Sequence, residues 1–131
     1  MQVGIVCTAV LGLLLFGLGL YVSLLRQRTG RIIGCDTSPT DPLHRAVRAH
    51  GNTAEYTPFF AVLFLWFAMH PGPAWVSIAI VLATLARLSL VAGLLWGPSL
   101  DKPNLARFLG ALLTYLAGIA LVVASPEVQL A

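Results

Sequence analysis

Charged side chains are scarce in this sequence of 131 residues. Lys, Arg, Asp and Glu together make up 10% of the chain, whereas a soluble domain averages about 25%. A water-soluble fold of this length must cover its core with polar side chains, and the chain has too few of them. The shortage of charge therefore argues against a soluble domain. We expect the surplus of apolar residues, 58% of the chain, to face lipid.

Cysteine is nearly absent as well. Cys7 falls in an apolar stretch and Cys35 in a polar loop. Neither belongs to a CxxC pair or to a cysteine–histidine group with the spacing of metal ligands. We therefore predict no metal site, and no disulfide for a thiol that faces a reducing cytoplasm.

Long apolar runs are abundant instead. Four of them lie at 2–25, 52–69, 74–96 and 108–124. About 20 helical residues cross a hydrocarbon layer of ~30 Å, and the second and fourth runs reach this length once a polar first turn or two is added. The sequence predicts one all-α membrane domain over residues 1–131, a bundle of four transmembrane helices. We place the helices at about 2–28, 42–69, 74–97 and 103–124.

The basic residues are distributed unevenly between the loops. Those that flank the first loop are Arg26, Arg28, Arg31, Arg45 and Arg48, and those that flank the third are Lys102 and Arg107. The N-terminus, the second turn and the C-terminal tail carry no Lys or Arg, so the positive-inside rule puts both termini outside the cytoplasm. The first run is too long for a signal peptide and is expected to be retained. Basic residues at helix ends meet lipid headgroups, so they do not indicate a nucleic-acid partner.

Several ionisable residues fall within the predicted helices, where they are costly. At about 100° per residue, Arg45, Arg48, Asn52 and Glu55 share one quarter of the second helix. Two interpretations stay open for this face. It either neutralises itself inside the bundle, with Arg87 or Arg107 as an interhelical partner for Glu55, or it forms a polar ligand site. On the fourth helix, Gly110, Thr114 and Gly118 form a small-residue stripe that predicts close helix packing.

The segment Arg48-Ala-His-Gly-Asn-Thr-Ala-Glu-Tyr-Thr-Pro58 resembles the second-helix signature of the MAPEG family, the membrane-associated proteins in eicosanoid and glutathione metabolism. An Arg in the third helix and Arg107-Phe-Leu-Gly110 at the start of the fourth agree with it. The resemblance covers nearly the whole chain. It implies a bacterial-type member, in the inner membrane, that assembles as a homotrimer and binds glutathione between subunits near the cytoplasmic face.

The resemblance also implies roles for individual residues. Arg107 matches an arginine that stabilises the glutathione thiolate and is the expected catalytic residue. The expected glutathione contacts are Arg26, Arg28, Arg48, Asn52, Glu55, Tyr56 and Arg87. Arginines can grip the two carboxylates of glutathione, and a cationic neighbour lowers the pKa of a thiol from about 8.5. A lipophilic electrophile or hydroperoxide from the bilayer would be the second substrate.

Two positions depart from the family pattern Arg-x-x-His-x-Tyr-Gly. After Arg87 the sequence has Leu90 in place of the His and Ala92 in place of the Tyr. Two hypotheses therefore stand. The retained polar residues favour a membrane glutathione transferase or peroxidase, and the two aliphatic replacements favour a non-catalytic protein whose polar cluster is structural or holds a lipid headgroup.

Reporter fusions test the predicted topology. A fusion at Ala131 should be active only with a reporter that works outside the cytoplasm, because no Lys or Arg near that end retains it inside. A reporter inserted after Thr37, in the first loop, is the control and should be active only in its cytoplasmic form. Activity of the cytoplasmic reporter at Ala131 would contradict the topology.

Overall fold

The computed structural model describes residues 2–125, which form the helices α1 (Gln2–Thr29), α2 (Pro42–Met69), α3 (Ala74–Trp96) and α4 (Leu105–Val123). By length and composition, α1, α3 and α4 are able to cross a membrane. α2 is as long as α1, with 28 residues. Its first half is polar, however, so that its crossing of the membrane stays a prediction. The C-terminal tail, expected outside the cytoplasm, lies at 126–131, beyond the described residues.

Side-chain caps account for the starts of α2 and α4. Oδ1 of Asp41 accepts a hydrogen bond from the backbone N–H of His44 at 2.7 Å. Oδ1 of Asn104 accepts one from the backbone N–H of Arg107 at 3.2 Å. Each bond satisfies a donor that has no partner inside the helix. Because Asn104 is the cap, α4 begins at Leu105, two residues later than the sequence predicts.

Arginine side chains organise the loop between α1 and α2. Nη1 of Arg26 donates to the carbonyl oxygens of Arg31, Ile32 and Gly34 at 3.3, 3.4 and 2.8 Å. Nη1 of Arg31 lies 3.3 Å from Oδ2 of Asp41. Gly34 has a φ of 73°, a conformation that glycine adopts without strain. The loop is therefore folded back onto the end of α1.

The helices pack as two pairs. α1 lies along α2 and α4 lies along α3, while α3 also contacts α1 and α2. α2 and α4 scarcely touch each other. The side chains buried at the centre include Leu11, Phe60, Phe64, Ala83 and Leu121. Many other large apolar side chains point outward, with Phe16 78% and Phe59 71% exposed, as expected for a surface that meets lipid.

Glycine permits the close contact between α3 and α4. A Cβ atom at Gly110 would lie 2.6 Å from the backbone nitrogen of Leu90 and 2.8 Å from the carbonyl oxygen of Ala86. The buried hydroxyl of Thr114 donates to the carbonyl of Gly110 at 2.7 Å, and Gly118 lies against an aromatic ring of α2. The small-residue stripe serves helix packing, as the sequence predicts.

The substitution Gly110→Ala tests this contact. We expect it to lower the midpoint of thermal unfolding in detergent, because the opposing atoms belong to the backbone of α3 and cannot turn aside. Overpacking of this kind costs about 1–3 kcal/mol. Gly12→Ala is the control, since a Cβ atom there would have no neighbour within 4 Å. An unchanged midpoint for Gly110→Ala would show that the helices are farther apart.

Candidate functional site

A cleft of about 690 Å³ opens at the end of the bundle where α2 and α4 begin and α3 ends. Its polar side chains are Arg48 and Asn52 of α2, Asn104 at the cap of α4, and Arg107 in the first turn of α4. Leucines of α3 supply apolar surface beside them. The cleft lies between α2, α3 and α4, where α2 and α4 make few contacts with each other and each packs along a different neighbour.

The arginines of the cleft have no acidic partner. The only ion pair within residues 2–125, between Arg31 and Asp41, lies in the loop that follows α1. None of the described residues that line the cleft is acidic, and Arg48 is exposed. Two guanidinium groups that face one cavity without a carboxylate favour the binding of an anion.

Arg107 is held in place from two sides. Its Nη1 donates to the carbonyl oxygen of Leu100 at 2.9 Å, and its backbone N–H donates to the cap residue Asn104. On the opposite helix, a Cβ atom at Gly93 would lie 2.7 Å from Cγ of Arg107. The absence of a side chain at Gly93 therefore lets the first turn of α4 pack against α3 and sets the position of the guanidinium.

Arg45 shares the polar face of α2 but has a structural partner. Its Nε donates to the carbonyl oxygen of Leu94 at 2.9 Å, and its Nη2 donates to the carbonyl of Gly97. These carbonyls belong to the C-terminal end of α3, where backbone acceptors lack partners within the helix. Arg45 thus joins the start of α2 to the end of α3 and frames the cleft.

Arg87 lies behind the cleft, in the middle of α3, and is fully buried. Its Nη2 donates to Oδ1 of Asn52 at 2.8 Å and to Oγ1 of Thr53 at 3.5 Å. Its Cζ lies 5.1 Å from the ring centroid of Tyr56, within the range of a cation–π interaction. The predicted site residues Asn52, Tyr56 and Arg87 therefore form one cluster between α2 and α3.

An apolar groove of about 390 Å³ follows farther along α2 and α4. Tyr56 and Tyr115 line it at the end nearer the polar cleft, and their ring centroids are 6.0 Å apart. Phe60, Leu63 and Ile119 are among its other lining residues. Residues of α2 and α4 thus line a cationic cleft near the first turns of these helices and an apolar groove deeper in the bundle.

Glu55 is exposed on the single protomer. Arg87 and Arg107, the partners that one of the two open interpretations offered, form no ion pair with it there, since the described residues contain no ion pair other than the one in the first loop. The physical reason is the direction in which each side chain leaves α2. Tyr56 and Asn52 face α3, whereas Glu55 follows α2 on its outward side. Within the protomer Glu55 makes no close ion pair among the described residues, and Arg87 acts on it only through a longer-range electrostatic attraction.

Arg26 and Arg28 lie apart from the cleft. Arg26 is occupied by the three carbonyls of the first loop, and Arg28 is exposed at the last turn of α1. Neither lines the cleft within one protomer. Of the predicted residues, the fold brings Arg48, Asn52 and Arg107 to one cavity and places Tyr56 and Arg87 behind it.

Asn104 is a cleft residue that the sequence analysis did not select. An asparagine three residues before an arginine at the start of an apolar run is the sequence signature of a helix cap, and this signal would have found it.

The neighbouring loop also carries a fixed negative charge. The hydroxyl of Ser99 donates to the carboxylate of Asp101 and lowers the pKa of that carboxyl below its usual value.

The two departures from the family pattern have different positions. Leu90 is buried and lines the cleft, so the aliphatic side chain takes the place where an imidazole would meet a ligand. Ala92 is half-buried and does not line the cleft. The cleft therefore has a more apolar α3 wall than the family pattern would give it.

Comparison with known families supplies one match. The model of the MAPEG family matches residues 4–125, nearly the whole chain. No curated protein and no solved structure matches the chain.

Proposed function

The chain belongs to the MAPEG family, and from this membership and the cationic cleft we propose that it is a membrane-bound, glutathione-dependent transferase or peroxidase. Its substrates are lipophilic electrophiles or hydroperoxides. The convergence of Arg48, Asn52 and Arg107 on one cavity without an acidic residue supports this function. The cleft lies at the end of the bundle that the positive-inside rule assigns to the cytoplasm, where glutathione is available.

Glutathione suits the cleft chemically. Its two carboxylates are anions that guanidinium groups bind with paired hydrogen bonds, and Arg48 and Arg107 both line the cavity. The thiol becomes a nucleophile only as the thiolate. A guanidinium beside the sulfur stabilises the thiolate, so that Arg107 lowers the pKa of the bound thiol and the thiol proton passes to solvent. In conjugation the sulfur attacks the electrophilic carbon while the bond from that carbon to the leaving group breaks. With a hydroperoxide the sulfur attacks the terminal oxygen, the O–O bond breaks, the alcohol leaves, and a second glutathione reduces the resulting sulfenic acid to the disulfide and water.

The second substrate enters from the bilayer. The apolar groove lined by Tyr56, Phe60 and Tyr115 follows the cationic cleft along α2 and α4. A lipophilic molecule in this groove would have its reactive end close to the tyrosine pair and hence toward the thiolate. Transfer of apolar surface from water yields about 25 cal/mol per Å², but a substrate that enters from lipid gains little of this, because lipid is already apolar. The shape of the groove, rather than its hydrophobicity, therefore selects the substrate.

Calorimetric titration of the detergent-purified protein with glutathione tests the proposal, and Arg107→Ala tests the thiolate assignment. We expect the wild-type protein to bind glutathione and to show the ultraviolet absorbance of a bound thiolate. Arg107→Ala should raise the pKa of the bound thiol and slow conjugation of a chromogenic electrophile by about 10²-fold, if the lost electrostatic stabilisation is about 3 kcal/mol.

Lys102→Ala is the control for this experiment. Lys102 is an exposed cation in the loop just before α4 and does not line the cleft. Its loss should therefore leave the conjugation rate and the pKa of the bound thiol unchanged. A wild-type protein that binds no glutathione would refute the proposed function. If Arg107→Ala keeps the wild-type activity and the wild-type pKa of the bound thiol, the thiolate role of Arg107 is refuted, whereas the proposed function as a whole is not.

A homotrimer is part of the proposal. The number of subunits comes from the family resemblance, and the exposed carboxylate of Glu55 supports association, because an ionised side chain at this depth needs a cationic partner. Arg48 and Glu55 are seven residues apart and therefore lie on the same side of α2. A neighbouring copy that covers this side would supply the missing cation and complete the site with its own residues.

Glu55→Gln tests the role of Glu55 in assembly. We expect native mass spectrometry in mild detergent to show trimers for the wild type and smaller species for Glu55→Gln, with a lower unfolding midpoint. Removal of one partner of a buried ion pair typically costs about 3–5 kcal/mol. Asp36→Asn, which neutralises an exposed loop carboxylate, should leave both measurements unchanged. A wild-type monomer at high protein concentration would contradict the assembly.

A second candidate function rests on Leu90. Because an aliphatic side chain lines the cleft where many family members have a histidine, the protein is alternatively a non-catalytic member. Its cationic cluster would then hold a lipid headgroup or stabilise the oligomer. The same titration decides between the candidates, since a structural cluster has no affinity for glutathione.

A further inference from the structure

The contact between Arg87 and Asn52 determines how the Asn52 amide is oriented. A guanidinium has only N–H donors and no acceptor. The amide atom that lies 2.8 Å from Nη2 of Arg87 must therefore be the oxygen, Oδ1. The amide nitrogen then lies on the other branch of the planar group. It has no hydrogen-bond partner among residues 2–125, although Asn52 is only half-buried and lines the cleft.

The second amide of the cleft is oriented in the same sense. Oδ1 of Asn104 accepts the backbone N–H of Arg107 at 3.2 Å, which again leaves the nitrogen as the free polar atom. Both asparagine oxygens are thus engaged by donors of the protein. Each of these oxygens already accepts a hydrogen bond, whereas the amide nitrogens are donors and Arg48 and Arg107 are donors only. The polar side chains of the cleft are therefore richer in free donors than in free acceptors.

We propose that Arg87 is a positioning residue, which holds Oδ1 of Asn52 so that the amide nitrogen is presented to the cleft as a donor for a ligand carboxylate. Arg87 itself is fully buried and does not line the cleft, so it acts through Asn52. This inference deepens the proposed glutathione site and rests on it for the identity of the ligand. The orientation of the amide does not depend on that identity.

The burial of Arg87 is difficult to explain by packing alone. Its Nε and Nη1 are buried and have no hydrogen-bond partner in the described chain. Unpaired buried donors of a charged group are destabilising, and a well-packed apolar side chain is often as stable or more stable at such a position. The strong contact that Arg87 does make is the one that orients Asn52, together with its position over the ring of Tyr56.

Melting curves without ligand test the orientation. Asn52→Asp keeps the oxygen that Arg87 contacts and adds a charge that pairs with the buried guanidinium, so its unfolding midpoint should equal or exceed that of the wild type. Asn52→Leu removes the oxygen and should lower the midpoint. If Asn52→Asp melts as early as Asn52→Leu, Arg87 does not donate to this side chain and the proposal is wrong.

Titration with glutathione tests the presentation of the donor. Asn52→Asp replaces the free NH₂ by a second acceptor oxygen, so we expect binding at least tenfold weaker although the fold is no less stable. A purely structural contact would instead make affinity follow stability. Asn52→Asp binding as tight as that of the wild type would overturn the proposal.

Arg87→Met provides the complementary variant. It leaves the Asn52 amide free to rotate, so we expect weaker glutathione binding with an unfolding midpoint near that of the wild type. The control is Thr84→Val, which changes another buried polar residue of α3. The Thr84 hydroxyl donates to the carbonyl of Ile80 at 2.9 Å, so this variant should bind glutathione as the wild type does. If Arg87→Met binds glutathione as the wild type does, the positioning role is refuted. If the wild type binds none, the proposed function fails, and the melting curves still decide the orientation.

Discussion

At Gly93 and Gly110 the backbones of α3 and α4 approach so closely that neither position has room for a Cβ atom. This approach fixes the axis of α4 relative to α3 and brings the first turn of α4 beside the last turns of α3. Arg107 and its cap residue Asn104 are carried to the rim of the cleft by that packing. α4 packs along α3 and α2 packs along α1, so α2 and α4 make few contacts with each other. The cationic cleft and the apolar groove are both lined by residues of α2 and α4.

Five of the seven arginines of this chain serve one of three tasks. Arg26 binds the carbonyls of the first loop and Arg45 binds those at the end of α3, so both satisfy backbone acceptors that a helix end or loop leaves without partners. Arg87 orients an amide from within the bundle. Only Arg48 and Arg107 keep guanidinium donors available at the cleft. In a chain with so little charge, this division is what concentrates positive charge at one cavity.

Glu55 lies on the polar face of α2 but forms no ion pair among residues 2–125 of the protomer. The sequence placed it on the same quarter of the helix as Arg48 and Asn52, and the periodicity holds. The small angular differences within that quarter nevertheless decide the outcome, because Asn52 turns toward α3 and Glu55 toward the outside. The proposed trimer would place a second copy of the chain over this carboxylate, where a cationic partner could neutralise it.

The helices and their apolar character were predictable from the amino-acid pattern, because a run of about 20 apolar residues in lipid must satisfy its backbone within the helix. The sequence also predicted the packing role of Gly110 and, through the signature around Arg48, the family. Only the tertiary structure decided which polar residues meet. Helical periodicity gives the side of a helix on which a residue lies, but not the neighbour on that side. The selection of Arg48, Asn52 and Arg107 for the cleft, the burial of Arg87 behind them and the presence of Asn104 depend on the distance and rotation between helices, which long-range packing sets.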